Sequence, residues 1–203
     1  MMAQLMRTAL YLLVILVTGV RSQGKISANI WRRPTVFYAN HQSHGDFLLI
    51  WAALPVFMRH HVRPVAAGDY WLKTLIRRFL ALKVFNMVLI NRGDDPKQAL
   101  SIMSTALQQG DSLIIFPEGT RNSSDELLPF KSGLFYLYRE QPNVDLLPVW
   151  IENIQDVLPK GRYLPVPMLC SVYFGTPYEP DDMSKSVFLE QAREKLIETG
   201  EEE

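Results

Sequence analysis

Between two apolar runs, the stretch Asn40-His41-Gln42-Ser43-His44-Gly45-Asp46 brings together a base, a carboxylate and several small polar residues. An aspartate bonded to one imidazole nitrogen fixes the tautomer and leaves the other nitrogen able to take a proton from a hydroxyl. The spacing restricts how His41 and Asp46 can meet. On a continuous helix, five residues at roughly 100° each would put the two side chains about 140° apart. They meet only if His41 lies in a turn and Asp46 in the first turn of a following helix. A plainer reading stays open from this stretch alone, in which both residues cap the helix and satisfy turn amides.

A second polar cluster follows an apolar run at Phe116-Pro117-Glu118-Gly119-Thr120-Arg121. Gly119 lets a ligand or another backbone come close. Arginine presents a planar fork that matches phosphate oxygens, and Arg92 and Lys131 are further cations that could converge on the same anion. The alternative is a Glu118–Arg121 ion pair that holds a turn.

The elements around these clusters alternate. Strands are expected at 34–39, 63–67, 85–91, 112–116, 144–151 and 168–174. Helices are expected at 47–54, 69–79, 94–109, 133–140 and 185–197, with Asp69, Pro96 and Gly110 as boundary signals. Pro148 points to an edge strand or an irregular ladder, and residues 152–167 to a long connection. The pattern predicts a single α/β domain with a mostly parallel, mixed sheet flanked by helices. Its site would lie outside the carboxyl ends of the strands.

The 203 residues carry no net charge, but the distribution is lopsided. Residues 1–92 hold twelve Lys and Arg against two acids, and the remainder holds nine against nineteen. A basic half with apolar sequence suits an anionic lipid surface or a phosphate-bearing substrate. No nucleic-acid motif is present, so nucleic acid is not an expected partner. The single Cys170 excludes an intrachain disulfide and any Cys-based metal cluster.

The opening segment, residues 1–33, is expected to associate with membrane through the apolar run Leu5 to Val20. As a helix this run spans about 24 Å, short of a hydrocarbon core of about 30 Å. Arg21, Lys25, Arg32 and Arg33 follow, suited to headgroups on the cytoplasmic side. A helix dipping into one leaflet or a short anchor fits best, with a cleaved signal or a core helix as the other readings. The helix at 69–79 has Trp71, Leu72, Leu75, Ile76 and Phe79 on one side and Lys73, Arg77 and Arg78 on the other. It suits an interface as well as an ordinary surface.

Asn40-His41-x-Ser43-x-x-Asp46 together with Phe116-Pro-Glu-Gly-Thr-Arg121 resembles the first and third blocks of the glycerolipid acyltransferases. The closest likeness is to the 1-acyl-sn-glycerol-3-phosphate acyltransferases. The strand ending at Arg92 resembles the second block, and Leu147-Pro148-Val149 the fourth. Phe130-Lys131-x-Gly133 and Gly175-x-Pro177 extend the likeness over 34–177. Asn86 stands where the second block usually has a glycine, and Gly45 where a larger residue is commoner.

The resemblance implies an acyltransferase domain over 34–203 that moves an acyl group from acyl-CoA or acyl-carrier protein to a lysophospholipid hydroxyl. The expected acceptor is 1-acyl-sn-glycerol 3-phosphate and the expected product phosphatidic acid, with another lysophospholipid acceptor as the alternative. His41, oriented by Asp46, is then the base. Arg92, Glu118, Gly119, Thr120, Arg121 and Lys131 are the implied substrate-binding residues. No metal or resident cofactor is implied, and the place of action is the cytoplasmic face of a membrane, the inner membrane in a bacterium.

Three other readings are weighed against this one. His41, His44 and Asp46, with His60 and His61 nearby, lack a recognised metal-ligand spacing. Ser43 beside His44 suits a turn better than a nucleophile, and no Gly-x-Ser-x-Gly elbow occurs. A lipid-binding or tethering protein on the same fold would not need a base.

Overall fold

The computed structural model describes residues 2–24, 33–43, 45–91, 93, 95–122, 124, 126–152 and 169–201. Seven strands among them form one sheet in the order β1-β7-β6-β2-β5-β3-β4. They are β1 Arg21–Gln23, β2 Thr35–Ala39, β3 Val62–Ala67, β4 Val88–Ile90, β5 Ser112–Ile115, β6 Asp145–Glu152 and β7 Ser171–Phe174. All pairings are parallel except β6 with β7. Thr-Val-Phe-Tyr-Ala of β2 is buried at all five positions because both sheet faces are covered there.

One face carries α1 Met2–Thr18 and α2 Asp46–Ala53, followed by α3 Gly68–Trp71 and α4 Leu75–Phe79. Phe37, Ala39, Ile114 and Val149 of the sheet meet Leu49 and Ile50 of α2 there. The other face carries α5 Pro96–Gln108, α6 Gly133–Glu140 and α7 Lys185–Glu201. Val36, Tyr38, Leu113, Ile115 and Leu146 pack with Leu107, Leu134, Leu137, Phe188 and Leu196. This is the expected α/β architecture with helices on both faces.

Several local expectations change. The helix expected over 69–79 is two short helices, because Leu72 ends α3 and Thr74 starts α4 afresh, its hydroxyl accepting from Arg77 N at 3.3 Å. A threonine favours such a cap over a helix interior. The chain then continues into a π-helical stretch at Leu80–Val84, so β4 begins at Val88 and not at Phe85. Pro148 lies in an interior strand, not an edge, and the irregular ladder is what accommodates it. The β7 ladder spans Val149 to Glu152, Gly175 N donates to Pro148 O at 3.0 Å, and Leu146 pairs with Tyr178 beyond. The missing N–H falls between those pairings. The connection expected at 152–167 lies almost wholly outside the described residues, as do Lys25 and Arg32.

No helix among the described residues is long and apolar enough to cross a membrane. Helix α1 packs one face on the domain and is tied there by Arg7. Its guanidinium donates to Val84 O at 2.5 Å and Lys83 O at 3.2 Å, and it meets His60 Nδ1 at 3.1 Å. These carbonyls end the π-helical stretch, where a cation is favoured. On the outer face of α1, Leu5, Leu12, Leu13 and Leu16 are exposed.

Candidate active site

Asp46 opens α2 and His41 lies in the turn after β2, the one arrangement the five-residue spacing permits. His41 Nδ1 is 2.7 Å from Asp46 Oδ2. The same carboxylate accepts from Gln42 N at 2.7 Å and from Ser43 N at 3.0 Å, and Asp46 is 1% exposed. It already acts as an acceptor toward two amides, so the imidazole Nδ1 must carry the proton it shares with Asp46. The other ring nitrogen is left for a substrate proton. Asp46 therefore satisfies the turn amides and holds the His41 ring at once, while the cap of α2 is Gly45 with no side-chain bond.

The rest of His41 is held as firmly. Its ring stacks on Phe116 at the end of β5, with centroids 4.3 Å apart and planes inclined by 20°. Its N–H donates to Glu118 Oε1 at 2.8 Å, and its carbonyl accepts from Asn122 N at 2.6 Å. Asn40, the preceding residue, is 2% exposed and clamps β6, donating to Ile151 O at 2.9 Å and accepting from Ile151 N at 2.8 Å. The ends of β2 and its two sheet neighbours thus converge on one imidazole.

Glu118 is bonded to backbone on both sides. It is 2% exposed, and its second oxygen accepts from Leu128 N at 3.1 Å. Burial pushes its carboxyl above the usual range, although the His41 and Leu128 amides pull the other way. Both oxygens bind backbone, so Glu118 ties the loop after β5 to the His41 turn. Its carboxylate forms no ion pair with Arg121 among the described residues.

Gly119 has φ +68°, and a Cβ there would come within 2.8 Å of Lys131 Cε. A side chain there would strain the backbone and displace the Lys131 stem, which crosses the space left. Lys131 N donates to Pro117 O at 2.8 Å. Thr120 and Arg121 follow on the exposed surface of the same loop. Arg92 and His44 lie outside the described residues. His60 faces Arg7 of α1, away from the His41–Asp46 pair in the network.

A cavity of about 450 Å³ opens at His41, Gly119 and Lys131 and is otherwise lined largely by apolar side chains. It has a simple origin. Strand β3 pairs with β5 only through Pro64, after which Val65, Ala66 and Ala67 pair with β4 alone. The parting of β3 from β5 leaves a gap in the sheet, and residues from both faces line it. Leu10, Trp71 and Leu80 come from one face, and Met103, Leu134 and Leu137 from the other.

Sequence reasoning named His41, Asp46, Gly119 and Lys131, which the fold gathers. It passed over Phe116 and Asn122 as partners of His41 and quoted Asn40 without a role. Phe116 carried a signal, an aromatic at the tip of the strand next to β2. Asn122 carried none, since it acts through its backbone.

A protein-family model described as Acyltransferase matches residues 18–152, about two thirds of the chain. Among similar proteins, 1-acyl-sn-glycerol-3-phosphate acyltransferase alpha of Ovis aries is 35% identical over 132 residues, covering 61% of this chain and 42% of that protein. The Mus musculus protein of that name is 33% identical over 165 residues, covering 74% and 54%. The chain spans about half the length of the curated relatives it matches. The crystal structure of the 1-acyl-sn-glycerophosphate acyltransferase PlsC from Thermotoga maritima superposes with TM-score 0.75 at 22% identity, covering 98% of this chain and 80% of that one. The family match runs across the His41 turn, the Glu118 loop and the strands that carry both, and by it the chain belongs to the acyltransferase family.

Proposed function

We propose that this chain transfers a fatty acyl group from a thioester, acyl-CoA or acyl-carrier protein, to the free hydroxyl of 1-acyl-sn-glycerol 3-phosphate. The observation that carries the reading is a buried Asp46 holding His41 at 2.7 Å where an apolar cavity meets Lys131. The similar proteins named above are described as acting on that acceptor.

In this reading the acyl chain lies in the cavity and its thioester carbonyl sits near His41. The unprotonated ring nitrogen takes the acceptor's hydroxyl proton as the oxygen attacks the carbonyl carbon. The carbon–sulfur bond breaks, the imidazolium returns the proton to the departing thiolate, and an ester and a free thiol remain. No acyl-enzyme is formed. A positioned base contributes about 10² to 10⁴ in rate. Lys131 and Arg121, with Arg92, supply cations for the acceptor phosphate, which arginine binds in a fork. Glu118 acts by positioning, since its oxygens already hold His41 and Leu128.

The acceptor and product are lipids, so the enzyme works at a membrane surface. The exposed leucines of α1 and the basic amino-terminal half fit peripheral attachment to an anionic cytoplasmic leaflet. The test is thiol release by the purified protein given lysophosphatidic acid, other lysophospholipids or glycerol 3-phosphate, with acyl-CoA and acyl-carrier protein donors. Release is expected with lysophosphatidic acid and is lost in His41→Ala, which keeps its fold. Equal turnover by His41→Ala would remove the base assignment, and no release with any acceptor would remove the reading.

A further inference from the structure

Besides α1, the stretch at α4 presents apolar side chains outward in a cluster. Leu75 is 85% exposed, Ile76 74% and Leu72 47%, on and just before α4. Soluble surfaces seldom set large aliphatic groups so far out side by side without a partner. The neighbours are cationic, Lys73, Arg77 and Arg78, and no carboxylate occurs in sequence between Asp69 and Asp94.

The ridge is joined to the cavity. Tyr70 and Trp71 of α3, immediately before it, line the cavity, as does Leu80 immediately after it. Arg77 lies over the Tyr70 ring at 4.2 Å, and Thr74 caps α4. The outward side chains therefore sit on a braced element. Across the cavity wall, Leu10 belongs to α1, whose own outer face is apolar.

We propose that residues 72–78 form a second docking element for an anionic phospholipid surface, with Leu72, Leu75 and Ile76 entering the interfacial region and Lys73 and Arg78 meeting headgroup phosphates. An apolar ridge flanked by cations fits that partner by charge as well as polarity. The element holds Tyr70 and Trp71 of the cavity wall against the lipid, so an acyl chain or a lysophospholipid reaches the cavity without crossing water. The proposal rests on the acyltransferase reading for what enters the cavity, while the docking itself stands apart from it.

The test is sedimentation of the full chain with vesicles of phosphatidylcholine alone or mixed with phosphatidylglycerol, beside acyl transfer between short-chain, water-soluble donor and acceptor. Leu75→Ser/Ile76→Ser is expected to weaken partitioning to both vesicles by about tenfold or more, since burial of apolar side chains drives it. Lys73→Gln/Arg78→Gln should lower only the preference for anionic vesicles, by about fivefold per cation lost. Neither pair touches the cavity, so transfer between soluble substrates should persist in both. Unchanged partitioning in the ridge variants, with loss confined to Leu12→Ser/Leu16→Ser of α1, would overturn the proposal. So would a wild-type dimer that Leu75→Ser/Ile76→Ser converts to monomer, because the ridge would then be a protein interface. Vesicle binding that depends on the ridge in a protein inactive on all substrates would support the docking element while removing the acyltransferase reading.

Discussion

His41 Nδ1 and Asp46 Oδ2 lie 2.7 Å apart, and two backbone amides point at the same carboxylate. The pair is therefore built into the turn. Oδ2 alone accepts from Gln42 N and Ser43 N and also faces His41 Nδ1, so in Asp46→Asn the amide oxygen keeps all three partners from that place and what is lost is the negative charge. The imidazolium that forms as His41 takes a proton then has no carboxylate beside it to stabilise its charge. Turnover should fall by about 10²-fold or more, with the acceptor KM little changed, the pattern of a group acting only in the transition state. Turnover within a few fold of wild type would mean that the Asp46 charge does not support His41.

Glu118 bridges His41 N and Leu128 N with separate oxygens. In Glu118→Gln one amide hydrogen must face the side-chain NH₂, so one buried donor is left unpaired. The cost is about 1–3 kcal/mol. The sign of the pH effect follows from the raised carboxyl. A raised carboxyl contributes stability that is present below the ordinary glutamate range and lost as pH rises through the folded value. Glutamine has no such dependence. Urea unfolding should then find the variant's deficit larger near pH 4 than near pH 8. A deficit that grows toward alkaline pH would contradict the burial argument.

How far the sequence carries depends on whether a feature is local. The β2–turn–α2 unit was legible because Thr35 to Ala39 is rich in β-branched and aromatic residues and the His41–Asp46 spacing admits one geometry. Helix α5 was legible from Asp95, whose side chain accepts from Lys97 N, from Pro96 and from Gly110 with φ +87°. Strand β1 was not, because Arg-Ser-Gln is polar and exposed and is a strand only through its pairing with β7. The cavity was not legible either, since it arises where β3 leaves β5 at Pro64, a relation between strands far apart in sequence. Glu118 was found by its type, and only the fold shows that its two oxygens accept from His41 N and Leu128 N.

Asn86 occupies the place where the resemblance calls for glycine, and the backbone explains it. Its φ is +49°, in the left-handed region that glycine adopts freely and asparagine tolerates. Its carbonyl accepts from Arg63 Nε at 2.8 Å, and Arg63 also pairs with Asp111 at 3.0 Å. Asn86→Gly should therefore change stability by less than about 1 kcal/mol. A β-branched residue is strained in this conformation, so Asn86→Val should cost about 1–3 kcal/mol. Thermal unfolding of the two variants distinguishes them. Equal melting temperatures would show that the turn relaxes to negative φ.

On the proposed reading the acyl chain enters the gap between β3 and β5, where Met103 of α5 lines the side opposite Leu10 of α1. Methionine is a flexible filler that yields to a ligand, whereas phenylalanine is larger and has fewer ways to move aside. Met103→Phe should shorten the cavity from the α5 side and leave His41, Asp46 and Lys131 untouched. Short-chain donors should then turn over nearly as in wild type. The longest accepted donors should lose about tenfold or more in kcat/KM, the scale of a small steric misfit in an apolar pocket. A series of acyl-CoA lengths measured on both proteins decides the matter. A uniform loss at every length would mean that Met103 supports the fold without bounding the chain, and an unchanged profile would place the acyl group elsewhere.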